Sequence, residues 1–107
     1  MHPFNYYDPS TVEEAVEILK KFGDRAKCLA GGTDVLVQTR GERYELDAIV
    51  DVKKIPELTS VEWTNDHLVI GAATPCYVLY EDPKVCEAFP GIIDSASLIG
   101  GIQIQSR

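Results

Sequence analysis

The chain has 107 residues, with ten basic side chains against seventeen acidic ones and a formal charge of −7, enough for one domain with a modest core. That balance argues against nucleic acid or an anionic membrane as the main partner, since both need a basic footprint, although a local basic pocket is compatible with it. Three widely spaced cysteines, Cys28, Cys76 and Cys86, form no C-x-x-C and have only His2 and His67 to join them; this argues against a metal site held by the chain alone and fits reduced, mostly buried thiols in a cytoplasmic protein.

The N-terminus lacks the charged-then-apolar pattern of a signal peptide, and no apolar run approaches the length that crosses a bilayer. Phe4 to Tyr7 is short, aromatic and extended in character, and Asp8-Pro9 closes it. Ser10-Thr11-Val12-Glu13 reads as a capping box with the serine as cap. Val12, Ala15, Val16, Leu19 and Phe22 then recur at helical spacing and Gly23 supplies the stop, which predicts a helix over 11–22. Lys27-Cys28-Leu29-Ala30 reads as a short buried strand running into Gly31-Gly32. A strand, a helix and a strand in succession predict parallel strands, whose carboxyl ends are where ligands sit.

Val35-Leu36-Val37 opens a short helix or continues irregularly, and the stretch from Arg40 to Glu45 reads as a solvated loop. Ala48-Ile49-Val50-Asp51-Val52 is a third strand, and Lys53 to Leu58 a turn-like connection. Val61-Glu62-Trp63 and the run from His67 to Ala72, joined by Asn65-Asp66, predict an antiparallel hairpin. The change from parallel to antiparallel pairing divides the chain into residues 1–54 and 55–107. Thr74-Pro75 starts a helix with Cys76, Leu79 and Tyr80 inside, stopped by Asp82-Pro83. A last helix runs from Lys84 through Leu98, interrupted near Phe89-Pro90-Gly91, and Ile102-Gln103-Ile104-Gln105 alternates like the start of a strand. With a strand opening in its last residues, the chain reads as the first part of something longer. The fold class expected is α+β: a small three-stranded parallel β/α subdomain, then the start of an antiparallel α+β subdomain.

The stretch with the most chemistry is Cys28-Leu29-Ala30-Gly31-Gly32-Thr33-Asp34-Val35. Paired glycines after a strand let the backbone turn with φ > 0 and present N–H groups to a phosphate. The plainer reading is a tight turn, because double glycines are common punctuation. A redox role for Cys28 beside the loop is a weaker idea, since strand thiols are usually just buried. No constellation of acid, base or nucleophile stands out, so no catalytic side chain and no metal ligand is assigned.

Several motifs then occur in order: the aromatic start followed by Pro9-Ser10-Thr11-Val12-Glu13-Glu14-Ala15, Leu29-Ala30-Gly31-Gly32-Thr33-Asp34, Ile49-Val50-Asp51-Val52 with Ile55-Pro56-Glu57-Leu58, Ile70-Gly71-Ala72-Ala73-Thr74, and Ile99-Gly100-Gly101-Ile102-Gln103-Ile104. Together they resemble the FAD-binding (medium) subunit of molybdenum hydroxylases, over essentially the whole chain and with the FAD-binding PCMH-like fold. The resemblance implies a flavoprotein component of an oxidoreductase, in which FAD takes electrons from iron–sulfur clusters on one partner subunit. A molybdopterin centre on another subunit feeds those clusters, and NAD+ or another acceptor receives the electrons. It implies cofactor-binding roles for Cys28, Leu29, Ala30, Gly31, Gly32, Thr33, Asp34 and Val35 around the pyrophosphate, with Ile99 and Gly100 packing near the cofactor. For Asp34 the options are a backbone N–H donor, an acceptor for a flavin-side hydroxyl, or a cap on its own loop; for Ile99 the alternative is a plain core residue. The family continues past the position of Arg107 into a second loop of the type Thr-Ile-Gly-Gly-Asn, for which a further chain is one source and a continuation of this one another. Its usual Arg-Asn also differs from Gln105-Ser106-Arg107. The alternative function is a non-catalytic binding module that docks on partner chains without holding FAD by itself.

Overall fold

The structure, a computed structural model, describes residues 3–41 and 45–107. It is α+β, and it divides into two compact units, residues 1–73 and 74–107. The predicted polar loop from Arg40 to Glu45 falls partly outside the described residues; Arg40 itself ends a helix.

The first unit opens with β1 (Asn5–Tyr7), α1 (Val12–Phe22), a 3-10 turn and β2 (Ala26–Leu29), followed by α2 (Val35–Arg40) and β3 (Ala48–Asp51). The three strands lie in the order β1-β3-β2, with β3 parallel to both neighbours. The first and second strands therefore run parallel, as predicted, but through β3 between them. All four residues of β3 are buried, because its side chains alternate between two covered faces. Val50 and Val52 pack with Ala15, Ile55 and Ala73, joined by Val12, Ile18 and Leu19 of α1. Ile49 packs on the opposite face with Leu29 and Leu46, under Val35 and Leu36 of α2. Complete burial of Ile49 and Val50 contributes roughly 1.5–3 kcal/mol each.

Helix α1 follows its predicted periodicity, but the cap moves by one residue. Thr11, not Ser10, is the N-cap, and its hydroxyl accepts from the Glu14 N–H at 3.2 Å. The sequence satisfies the capping pattern in both registers, and the later one leaves Ser10 in the approach to the helix. Strand β2 also begins one residue earlier than predicted and is buried only at its two ends. It is an edge strand, so Cys28 is exposed, while Cys76 and Cys86 are half-buried and all three are free thiols. The expectation of mostly buried cysteines is thus incorrect.

The hairpin pairs β4 (Val61–Trp63) antiparallel with β5 (Leu68–Ile70). At its turn the Thr64 N–H donates to the His67 carbonyl at 2.8 Å, and the Thr64 hydroxyl accepts from the His67 N–H at 3.1 Å. After β5, Gly71 passes so close to another backbone segment that an added Cβ would meet the Leu58 oxygen at 2.5 Å and the Thr59 nitrogen at 2.8 Å. The Gly71 N–H bonds Ser60 and the Ala73 N–H bonds Leu58, at 2.8 and 2.7 Å. The pairing sense changes after residue 54, whereas the compact first unit extends through the hairpin to residue 73.

The second unit contains α3 (Cys76–Tyr80), α4 (Pro83–Ala88), α5 (Pro90–Ala96) and α6 (Ile102–Gln105). Asp82-Pro83 ends α3 and also starts α4, with the Asp82 carboxylate accepting from the N–H groups of Lys84 and Val85. Phe89-Pro90 divides the predicted long helix into α4 and α5. Leu79, Val85 and Ala96 supply buried apolar side chains. The predicted strand at 102–105 is instead the helical turn α6. Four alternating residues do not separate a period of 2 from one of 3.6, and local bonds decide the outcome. The N–H groups of Ile104 and Gln105 reach the Gly101 carbonyl, and the buried Gln105 amide donates back to the carbonyls of Ser97 and Ile99 at 3.0 and 3.1 Å. Among the described residues, no helix is long and apolar enough to cross a membrane.

Candidate functional site

The candidate loop leaves β2 at the carboxyl edge of the parallel sheet and enters α2 within six residues of Leu29. Gly32 adopts φ +79°, a conformation that L side chains rarely take. A Cβ at Gly32 would lie 3.2 and 3.4 Å from the Leu36 and Leu29 methyl carbons, so the turn closes over the apolar side chains beneath α2. The Gly32 carbonyl accepts from Leu36 N–H at 3.2 Å, fixing the entry to the helix. Among the described residues, the N–H groups of Gly31, Gly32 and Thr33 donate no hydrogen bond. Three successive amides without protein acceptors, two of them on glycine, suit the oxygens of a phosphate. The donor chemistry of the loop therefore fits a phosphate group.

Asp34 occupies the N-cap position but makes no capping bond; its carboxylate accepts from the Gln38 amide at 2.7 Å. This arrangement differs from a cap on its own loop. Leu29 is buried, Ala30 and Val35 are half-buried, and Cys28 and Thr33 are exposed. The structure thus brings together the eight predicted positions from 28 to 35 on one strand-to-helix turn. Ile99 and Gly100 belong to the second unit, between α5 and α6. Ile99 is 49% exposed, so it is not part of the buried core of this chain, and Gly100 has φ +55°, where a Cβ would collide with the Ile104 side chain.

Sequence reasoning missed the polar cluster behind this loop. The Tyr6 hydroxyl donates to the carboxylate of Asp51, a residue only 7% exposed. The Lys53 ammonium donates to the same carboxylate at 2.9 Å and to the Ala30 carbonyl at 2.8 Å. The Lys53 N–H also donates to Asp51, at 3.0 Å. Burial alone would push the Asp51 carboxyl up, but the hydrogen bonds from Tyr6 and Lys53 outweigh it and hold the group below its ordinary value. The only signal in the sequence was an aspartate closing an otherwise apolar strand.

The same cluster pushes the Tyr6 phenol up to about 12, first through its hydrogen bond to Asp51, then through desolvation and the nearby negative charge. The folded state keeps this proton above the ordinary tyrosine value of about 10, so the stabilisation is complete below that pH and lost as pH rises towards the folded value. An ultraviolet titration of the tyrosinates should show one late-ionising phenol that is missing in Tyr6→Phe. A late component persisting in the variant would place the shifted group elsewhere.

A surface hollow of about 330 Å3, lined by Pro3, Phe4, Asn5, Phe22 and Asp47, lies at the amino ends of the strands. It is at the opposite edge of the sheet from the loop and is framed largely by rings and strand starts.

Residues 2–107 match the family described as the FAD binding domain in molybdopterin dehydrogenase. The chain is 34% identical over 104 residues to the carbon monoxide dehydrogenase medium chain of Hydrogenophaga pseudoflava, covering 97% of this chain and 36% of that one. It is 35% identical over 103 residues to the xanthine dehydrogenase FAD-binding subunit of Escherichia coli O157:H7, covering 95% and 35%. The chain therefore spans about a third of the length of these relatives. The crystal structure of carbon monoxide dehydrogenase from Hydrogenophaga pseudoflava lacking the Mo-pyranopterin moiety superposes with TM-score 0.93 at 33% identity, over 100% of this chain and 38% of that one.

Proposed function

This chain belongs to the family of FAD-binding domains in molybdopterin dehydrogenases, and we propose on that basis that residues 28–35 hold the pyrophosphate of FAD. The observation that carries the reading is the run of amides at Gly31, Gly32 and Thr33 with no acceptor among the described residues. Their N–H groups bind the phosphate oxygens, and the exposed Thr33 adds a hydroxyl donor. Gly32 shapes the turn, while Leu29 and Val35 anchor its two ends in the core beneath α2. For Ile99 and Gly100, in the second unit, a cofactor-binding role rests on the family resemblance of their motif.

The protein containing this chain acts as the flavin component of a multi-subunit cytoplasmic molybdenum hydroxylase, with a molybdenum-cofactor subunit and an iron–sulfur subunit as partners. Bound FAD supplies the redox chemistry there, between the iron–sulfur clusters and NAD+ or another acceptor. The chain itself binds and orients; no side chain on it has to serve as acid, base or nucleophile. A Thr-Ile-Gly-Gly-Asn loop beyond residue 107 or on a further chain completes the flavin site.

The test is the visible absorption of the purified assembly, where flavin bands are expected. Absence of those bands, before and after addition of FAD, would sink the reading and favour the docking module. The exposed Leu98, Ile99 and Ile102, at 81%, 49% and 72%, are the apolar surface such a module would use.

A further inference from the structure

The geometry points to Lys53 as a phosphate ligand of the cofactor, held in position by Asp51 and Tyr6; this rests on the FAD reading above. An ammonium group has three donors. Two are committed, to the Ala30 carbonyl at 2.8 Å and the Asp51 carboxylate at 2.9 Å. The third has no acceptor among the described residues, and the side chain remains 45% exposed.

The two committed bonds hold the ammonium on the Ala30 carbonyl, at the start of the loop, while the Gly31 N–H of that same trans peptide points the other way. Charge arithmetic favours the same role. Residues 28–35 include no cation and one carboxylate, Asp34, and Asp51 adds a second at the sheet edge. Without Lys53 a diphosphate would approach two carboxylates with only amide dipoles to offset them. With it, Asp51 is paired and the net charge falls from two negative charges to one, leaving an ammonium donor on a fixed stem for a charge-assisted bond.

The anchoring explains why the lysine stays at the loop. The Asp51 carboxylate accepts from Tyr6, from the Lys53 ammonium and from the Lys53 backbone N–H. The acid is thus bound on several sides, and the lysine pivots on a nearly buried group. Lys54, next in sequence, is engaged elsewhere, with Asp8. Lys53 is therefore the lysine of this pair that faces the loop.

The test uses the purified assembly containing this chain, freed of flavin and titrated with FAD at increasing sodium chloride, with wild type, Lys53→Met and Lys53→Arg compared. Binding by wild type establishes the FAD reading independently; no binding by wild type defeats that reading rather than the role of Lys53 alone. Given wild-type binding, Lys53→Met should weaken FAD at least fivefold at low salt, and its affinity should fall less steeply with salt. Lys53→Arg should retain most of both properties. A smaller loss in Lys53→Met, or a salt dependence parallel to wild type, overturns the proposal, because a merely structural lysine would leave that slope unchanged. Should Lys53→Met fail to assemble, Lys53→Gln keeps a donor for Ala30 without the charge and is judged by the same two criteria.

Discussion

Valine in place of Gly32 is expected to abolish most FAD binding while leaving the fold largely intact. The φ of +79° at this position is strained for any L residue, most of all a β-branched one. That strain costs about 1–3 kcal/mol. The atoms a Cβ would first meet are the ends of the Leu36 and Leu29 side chains, at 3.2 and 3.4 Å, and both can shift. Relief of the strain turns the peptide and redirects the Gly32 and Thr33 amides. Losing two hydrogen bonds to a charged ligand, at roughly 1.5–3 kcal/mol each, predicts about a hundredfold or greater drop in affinity. Urea unfolding and FAD titration on the same preparation separate the two effects. Equal losses in both would identify Gly31-Gly32 as a purely structural turn.

Asp51→Ala is expected to destabilise the protein by about 2–3 kcal/mol, because it strips one acceptor from several donors at once. Tyr6 and Lys53 are partly exposed and regain water, which keeps the cost below that of breaking a fully buried pair. The effect carries a pH signature. A carboxyl whose folded pKa is depressed contributes its full stabilisation above its unfolded value near 3.9, and loses it as pH falls through the lower folded value. Asp51 is held down in this sense. The difference between wild type and variant should therefore be complete at neutral pH and shrink only below about pH 4. A difference that stays constant through acid unfolding would mean that the lost energy is packing rather than charge.

The fold was legible wherever the signals were local. The spacing from Val12 to Phe22 gave α1, Asn65-Asp66 gave the hairpin turn, and the apolar run at 48–52 gave β3. Local ambiguity produced the errors. Ser10 and Thr11 each have a glutamate three residues on, so the cap slipped by one. Ile102 to Gln105 was too short to reveal its period, and the Gln105 side chain settles the backbone there through contacts no pattern encodes.

The loop itself was legible because two adjacent glycines at the end of a strand are a local feature. Its supporting cluster was not. Tyr6 and Asp51 lie 45 positions apart and meet only because β1 and β3 pair in parallel, bringing their carboxyl ends to one edge. Cys28 was misjudged for the same reason, since burial depends on whether β2 lies at the edge or the centre of the sheet. Alone, Gly31-Gly32 marked a turn; with Lys53 fixed behind it, the turn has a charged side and a row of free donors.

The most direct measurement is amide hydrogen exchange across residues 28–35 in the FAD-free and FAD-loaded assembly. If this loop holds the pyrophosphate, exchange at Gly31, Gly32 and Thr33 should slow on loading, more than at the exposed tip of the hairpin around Asn65 and Asp66. FAD bound at full occupancy with those three amides exchanging as fast as before would contradict the assignment.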